Sequence, residues 1–159
     1  TLILDYDAGN LGSVKRACAE VGLTAEFSCD PSAITQAERI IFPGVGAAGS
    51  AMRSLRERGL DAALKSAIDR GIPVLGICLG MQVSLDYSEE NDTQTLGLLG
   101  GRVQRFKLNR PELKIPHMGG TKSGSPKPIR CWRVLNPVTS STSFTGITLI
   151  LPMRLTHWR

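Results

Sequence analysis

The sequence contains no Asp or Glu after Glu112. All 14 acidic residues lie at or before that position, while residues 120–159 carry six Lys or Arg and no acid. The net charge of +5 therefore belongs to the carboxyl-terminal stretch rather than to a basic face spread over the patterned part of the chain. That distribution argues against nucleic acid or an acidic membrane surface as a partner. Long apolar runs are also missing, since no stretch approaches the roughly 20 apolar residues needed to cross a bilayer. The opening Leu2-Ile3-Leu4-Asp5 has neither a basic leader nor a small-residue cleavage site. A soluble, unexported, cytoplasmic protein is expected. Cys18, Cys29, Cys78 and Cys131 form no CxxC pair and have no His partners at metal spacing. Neither a zinc site nor a disulfide framework is favoured, reduced thiols are expected, and no metal or other cofactor is predicted.

What is present is an alternation of strands and helices. A chain of 159 residues with 42% hydrophobic content can bury one core. Leu2-Ile3-Leu4 reads as a buried strand and Asp7-Ala8-Gly9-Asn10 as the turn after it, with Asn10 as cap of the next helix. Val14, Ala17, Cys18 and Val21 recur at helical spacing, Gly22 suits the left-handed position that ends a helix, and Leu23 to Phe27 is extended. Ile40-Ile41-Phe42 predicts a third strand, Ala47 to Arg58 and Leu60 to Ile68 predict helices, and Val74 to Ile77 predicts a fourth strand. A further helix is expected from Leu79 to Tyr87. The order predicts an α/β fold with a mainly parallel sheet, helices on both faces, and ligands at the carboxyl ends of the strands. A composition boundary falls near Gly119 or Gly120, beyond which Ser, Thr and Pro crowd the chain, as in Ser140-Ser141-Thr142-Ser143.

Gly76-Ile77-Cys78-Leu79-Gly80 follows the fourth strand directly and has the form of a nucleophile elbow. A strand that hands into a helix through so sharp a turn needs small residues at i−2 and i+2, and Gly76 and Gly80 supply them. Cys78 would project at the sheet's carboxyl edge, where a helix amino terminus favours a thiolate and offers N–H groups to an oxyanion. Free cysteines are often simply buried core residues; the flanking glycines favour the catalytic reading. Pro43-Gly44-Val45-Gly46 follows another central strand and would meet Cys78 above the same edge. Its glycines permit either an oxyanion-binding backbone or merely a tight turn, and the neighbouring elbow favours the first.

Residues 1–119 resemble class I glutamine amidotransferase domains, most closely the glutaminase subunits of imidazole glycerol phosphate synthases. The resemblance is carried by Asp5-Tyr6 with Gly9-Asn10-Leu11 and Ser13-Val14, by Pro43-Gly44-Val45-Gly46, by Gly76 to Gln82, and by Pro116-His117-Met118-Gly119. It implies a flavodoxin-like α/β fold and a Cys78 thiolate that attacks the side-chain amide of glutamine. It further implies that Gly44, Val45, Gly46 and the N–H of Leu79 bind the oxyanion, and that Gln82 lines the glutamine pocket. Asn10, His117 and Met118 would face a (β/α)8-barrel cyclase partner that consumes the ammonia in L-histidine biosynthesis. On the residues alone, Gln82 is equally an exposed helix position and His117 a satisfied loop histidine.

The pattern breaks immediately after Gly119. In the family Pro-His-Met-Gly is followed by Trp-Asn-Gln, whereas Gly120-Thr121-Lys122-Ser123 stands here. Codons TGG-AAC-CAA-GTC read one base late become GGA-ACC-AAG-TC, which encodes Gly-Thr-Lys-Ser. A frameshift at Gly120 is therefore expected, with an unusual but genuine carboxyl-terminal region as the alternative; residues 120–159 are expected to form an atypical basic tail, with the domain incomplete and the isolated chain poorly soluble. A shifted frame has no reason to preserve binary patterning. The family's late His-Pro-Glu segment, with His as base toward the cysteine and Glu orienting it, does not occur; His157 is followed by Trp158 and Arg159. The sequence thus leaves three readings: an amidotransferase lacking part of its triad, a non-catalytic binding module, or a cysteine hydrolase of the related elbow type.

Overall fold

The structure, a computed structural model, describes residues 1–105. Its elements run β1 (Leu2–Leu4), α1 (Leu11–Glu20), β2 (Glu26–Ser28), α2 (Pro31–Gln36), β3 (Ile40–Phe42), α3 (Ala48–Glu57), α4 (Leu60–Asp69), β4 (Val74–Gly76), α5 (Leu79–Gln82), β5 (Tyr87–Ser88), a 3-10 turn (Glu90–Asp92), β6 (Thr93–Gln94) and β7 (Arg102–Val103). The first four strands form one sheet in the order β2-β1-β3-β4. Every pairing in it is parallel, with Ile3 opposite both Phe27 and Ile41, and Phe42 opposite Gly76. β1 and β3 are buried at every residue, which explains their unbroken apolar sequences, whereas β2 lies at an edge and is largely exposed. The winding direction reverses between β1 and β3, and a doubly wound sheet opens its ligand crevice at the carboxyl ends of the strands on either side of that point. The loops after β1 and β3 flank it.

Alternation of side chains along each strand divides the core in two. Leu2, Leu4, Ile40, Phe42 and Val74 face one side and pack with Ile34 of α2, Met52 and Leu55 of α3, Leu64 of α4, and Leu79 of α5. Ile3 and Ile41 face the other side, where Cys18 of α1 and Ala25 meet them. Helices thus cover both faces, as expected of a flavodoxin-like fold, but unequally. Of the α1 positions at helical spacing, Cys18 alone is buried; Val14 is half-buried, while Ala17 and Val21 are exposed. Over edge strand β2, α1 instead lays Lys15 across the Phe27 ring, with its Nζ 5.0 Å from the ring centroid, and pairs it with Glu26.

Local chemistry sets most boundaries. Asp30 caps α2 by accepting from the N–H of Ser32 at 2.9 Å, with Pro31 in the first turn. Gly22 takes the expected left-handed conformation at φ +72°, and the N–H of Leu23 closes the end of α1 on the Cys18 carbonyl at 2.8 Å. Asn10 does not cap α1 with its side chain. It sits left-handed at φ +58°, and its backbone carbonyl accepts from the N–H of Ser13 instead.

The helix expected from Leu79 to Tyr87 ends at Gln82. Ser84 Oγ bonds back to the Gly80 carbonyl at 2.7 Å, and the Ser84 carbonyl accepts from the N–H groups of Leu98 and Leu99, so the helical ladder cannot continue through it. The chain then forms a small sheet of order β6-β5-β7, with β5 antiparallel to β6 and parallel to β7. No helix among the described residues is long and apolar enough to cross a membrane.

Two outcomes follow from this packing. A Cβ at Gly80 would overlap the Phe42 carbonyl, which is backbone and cannot yield, whereas a Cβ at Gly59 meets open space at φ +68°. In denaturant unfolding, Gly80→Ala is expected to cost about 3 kcal/mol and Gly59→Ala about 1 kcal/mol; equal losses would contradict the close approach. Tyr6 is buried at 2% exposure, and burial, with the nearby Cys78 charge as the lesser cause, pushes its phenol well above the ordinary tyrosine value. The unfolded chain releases this proton near pH 10 while the folded chain keeps it, so stability falls as pH rises beyond that value. The slope approaches about 1.4 kcal/mol per pH unit from this group. Unfolding of Tyr6→Phe followed between pH 9 and 12 should show a correspondingly shallower decline.

Candidate functional site

The turn from β4 into α5 places Cys78 at the carboxyl edge of the sheet. Ile77 extends the strand by donating its N–H to the Phe42 carbonyl at 2.9 Å, and Leu79 already opens the helix, so Cys78 alone makes the turn. It does so at φ +54° and ψ −113°, a sparsely populated conformation that costs about 1–3 kcal/mol. Hydrogen bonds from Gly80 N–H to the Ile77 carbonyl (3.1 Å) and from Gln82 N–H to the Cys78 carbonyl (3.1 Å) hold it. Cys78 is half-buried and has no disulfide. Because α5 is a single turn, the electrostatic support expected from a helix amino terminus reduces to the first backbone N–H groups.

The Pro43–Gly46 loop meets this elbow, as its position after β3 predicts. Gly44 lies so close that a Cβ there would stand 3.0 Å from the Gly80 nitrogen and 3.0 Å from the Leu79 Cβ. Two of the candidate oxyanion donors are engaged within the protein. Leu79 N–H points to the Gly44 carbonyl at 3.4 Å, and Val45 N–H donates to the Ala8 carbonyl at 3.2 Å. Gly46 is left-handed at φ +98° with open space around it, and Val45 is 53% exposed beside a cleft of about 300 Å³. The distal half of the loop is therefore loosely held.

Gln82 is half-buried one turn beyond Cys78, and Asn10 is exposed at the head of α1. His117 and Met118 lie outside the described residues. Two residues not anticipated as site neighbours join the loops. Tyr6, at the end of β1, donates its hydroxyl to the Pro43 carbonyl at 2.9 Å. Glu90 reaches across from the small sheet to accept from the N–H of Ala48 at 2.9 Å, supplying the cap that Ala47 cannot give α3. A helix opening on Ala47-Ala48 without a capping side chain was the available signal for such a distant acceptor.

The chain is similar to known proteins. The chain matches the family model for "Glutamine amidotransferase class-I" over residues 2–134. It is 43% identical over 140 residues to the "Imidazole glycerol phosphate synthase subunit HisH" of Nitratidesulfovibrio vulgaris, covering 85% of this chain and 66% of that protein. It is 49% identical over 122 residues to the protein of the same name from Geobacillus kaustophilus, covering 74% of this chain and 57% of the relative. The chain thus spans less than two thirds of the length of either relative. A solved structure titled "Crystal structure of glutamine amidotransferase" superposes with a TM-score of 0.59 at 20% identity, covering 69% of this chain and 59% of that one, which supports the fold. With the strained cysteine elbow, the glycine loop against it and a family match over most of its length, the chain belongs to the class I glutamine amidotransferases.

Proposed function

We propose that this chain is the glutaminase component of an imidazole glycerol phosphate synthase, releasing ammonia from glutamine for a (β/α)8-barrel cyclase subunit in cytoplasmic L-histidine biosynthesis. The observation that carries the reading is Cys78 at φ +54°, held at the sheet edge with Gly44 packed against the start of α5. In this scheme the Cys78 thiolate attacks the side-chain carbonyl carbon of glutamine, forming a C–S bond and an oxyanion. The C–N bond then breaks as the nitrogen takes a proton and leaves as ammonia, and water cleaves the thioester to glutamate. Gln82 lines the glutamine pocket; Asn10, His117 and Met118 face the cyclase.

The oxyanion needs donors, and one movement supplies them. The Gly44 carbonyl and the Val45 N–H belong to the same peptide, so a half-turn of that peptide releases both of its hydrogen bonds at once. Leu79 N–H is freed, and Val45 N–H leaves the Ala8 carbonyl. The glycines on either side of Val45 allow the rotation.

Proton handling is the weak point. The only histidines are His117 and His157, and neither begins a His-Pro-Glu segment. Residues 120–159 are read as a frameshifted tail that supplies no such base, and general acid–base catalysis contributes roughly 10²–10⁴-fold. Glutamine turnover should fall short of a base-containing relative by about that factor.

A chloroketone analogue of glutamine should label Cys78 in the full chain, with protection by glutamine and no labelling in Cys78→Ala. Labelling that glutamine does not slow would overturn the glutaminase reading. Ammonia release, assayed with and without the barrel cyclase, separates enzyme from binding module, since activity lost in Cys78→Ala establishes the first and silence with retained cyclase binding the second. Sequencing the coding DNA around Gly120 should reveal Trp-Asn-Gln codons in an alternate frame. Their absence would mean the tail is genuine.

A further inference from the structure

The oxyanion loop is held very differently at its two ends. Beyond Val45 it is exposed and bordered by open space, whereas Pro43 and Gly44 are buried. The group beneath the buried end is the Tyr6 side chain. Its hydroxyl donates to the Pro43 carbonyl at 2.9 Å, and a Cβ at Gly44 would collide with that hydroxyl oxygen. The ring packs edge-on against Phe42 with centroids 5.4 Å apart. The backbone carbonyl of Tyr6 is in turn fixed by Ser54 Oγ of α3 at 2.7 Å. Tyr6 thus bridges β1, the end of β3 and α3 directly below the loop.

We propose that Tyr6 is a positioning residue for the oxyanion loop: its phenol pins the Pro43 carbonyl, so that the Gly44–Val45 peptide alone turns when charge develops on the substrate oxygen. The identity of that oxygen rests on the glutaminase reading. The division of labour follows from adjacent peptides. The Pro43–Gly44 peptide presents its carbonyl to a buried donor and is fixed, with proline restricting the torsion before it. The Gly44–Val45 peptide has no such anchor, because both its bonds go to backbone groups that the turn itself releases. Without the phenol, the Pro43 carbonyl is a buried acceptor lacking its donor, and rotation can spread backward along the loop at the expense of alignment. Burial keeps the phenol protonated, and therefore a donor, throughout the range in which a thiolate forms.

The test compares two reactions of Cys78 in the full chain, both read by mass at the Cys78 peptide. Acylation by the γ-p-nitrophenyl ester of glutamate forms an S–C bond through an oxyanion, breaks the C–O bond, and releases p-nitrophenolate. Alkylation by iodoacetamide forms an S–C bond as iodide leaves, with no oxyanion. Tyr6→Phe should slow acylation at least about tenfold while alkylation stays within about twofold. Phe42→Leu, which removes the ring contact and leaves the phenol bond, should lower Tm without separating the rates. Amide hydrogen exchange in Tyr6→Phe should quicken at Val45 and Leu79 beyond any change elsewhere. Equal slowing of both reactions, the same separation in Phe42→Leu, or a uniform rise in exchange would overturn the proposal. A parent chain that alkylates yet never acylates, with the exchange change confined to Val45 and Leu79, would reject the glutaminase reading and uphold the positioning role.

Discussion

The site depends on how closely the backbone after β4 passes over the end of β3. Gly80 lies against the Phe42 carbonyl with no room for a side chain, while Ile77 donates its N–H to that same oxygen. Two residues of the elbow are therefore seated on one atom of the neighbouring strand. Between them the chain must reverse from extended to helical, and the φ +54° of Cys78 is the consequence. A left-handed residue with a side chain is costly, and it persists where its surroundings over-determine it. Here they do: the first turn of α5 buries Leu79, Val83 follows it into the core, and both sit in the larger of the two apolar clusters. Packing energy from the core thus holds a conformation that local preference would reject.

That constraint also decides the resting state of the Pro43–Gly46 loop, proposed to bind the oxyanion. Bringing α5 against β3 places Leu79 N–H beside Gly44, and in the absence of a charged oxygen the Gly44 carbonyl is the acceptor within reach. The two bonds that hold the peptide there are long, at 3.4 and 3.2 Å, and a neutral hydrogen bond contributes a net of about 1 kcal/mol. Turning the peptide forfeits on the order of 2 kcal/mol. Hydrogen bonds to a full negative charge are roughly twice as strong as neutral ones, so in the proposed mechanism the balance favours rest without substrate and would reverse as an oxyanion formed. Donors matched to the charged state rather than the ground state are what acceleration requires.

Features governed by neighbours in sequence were legible, and those governed by distant neighbours were not. Leu2-Ile3-Leu4 and Ile40-Ile41-Phe42 could be read as central strands because residues buried on both faces leave no polar alternation to confuse them. Gly22 could be read because a helix end needs a left-handed residue locally. The elbow glycines were legible as small residues, although the reason for Gly80 is its contact with Phe42, 38 positions earlier. The early end of α5 was hidden because Val83-Ser84-Leu85 continues a helical pattern and is overruled by bonds from Leu96, Leu98 and Leu99. Tyr6 and Glu90 act across 37 and 42 positions, beyond the reach of any periodicity. The exposure of Ala17 and Val21 was not legible because their spacing with Val14 reports amphipathic form and not which neighbours cover it.

Positioning a nucleophile and moving protons are separable tasks, and residues 1–105 illustrate the first without the second. They hold the thiol, the loop and the N–H donors, yet contain no histidine. A serine so placed would be inert, because an alcohol needs a base before it attacks. A cysteine is intrinsically far more nucleophilic than an alcohol, so bond formation at its sulfur depends less on a base. Departure of the leaving group is different. An amide nitrogen cannot depart unprotonated, whereas p-nitrophenolate and iodide need no proton. In the proposed reaction, proton delivery therefore weighs on expulsion of ammonia from the tetrahedral intermediate rather than on its formation. The proposed chemistry of the elbow and loop therefore extends more readily to activated electrophiles than to the amide of glutamine, whose nitrogen needs a proton on leaving.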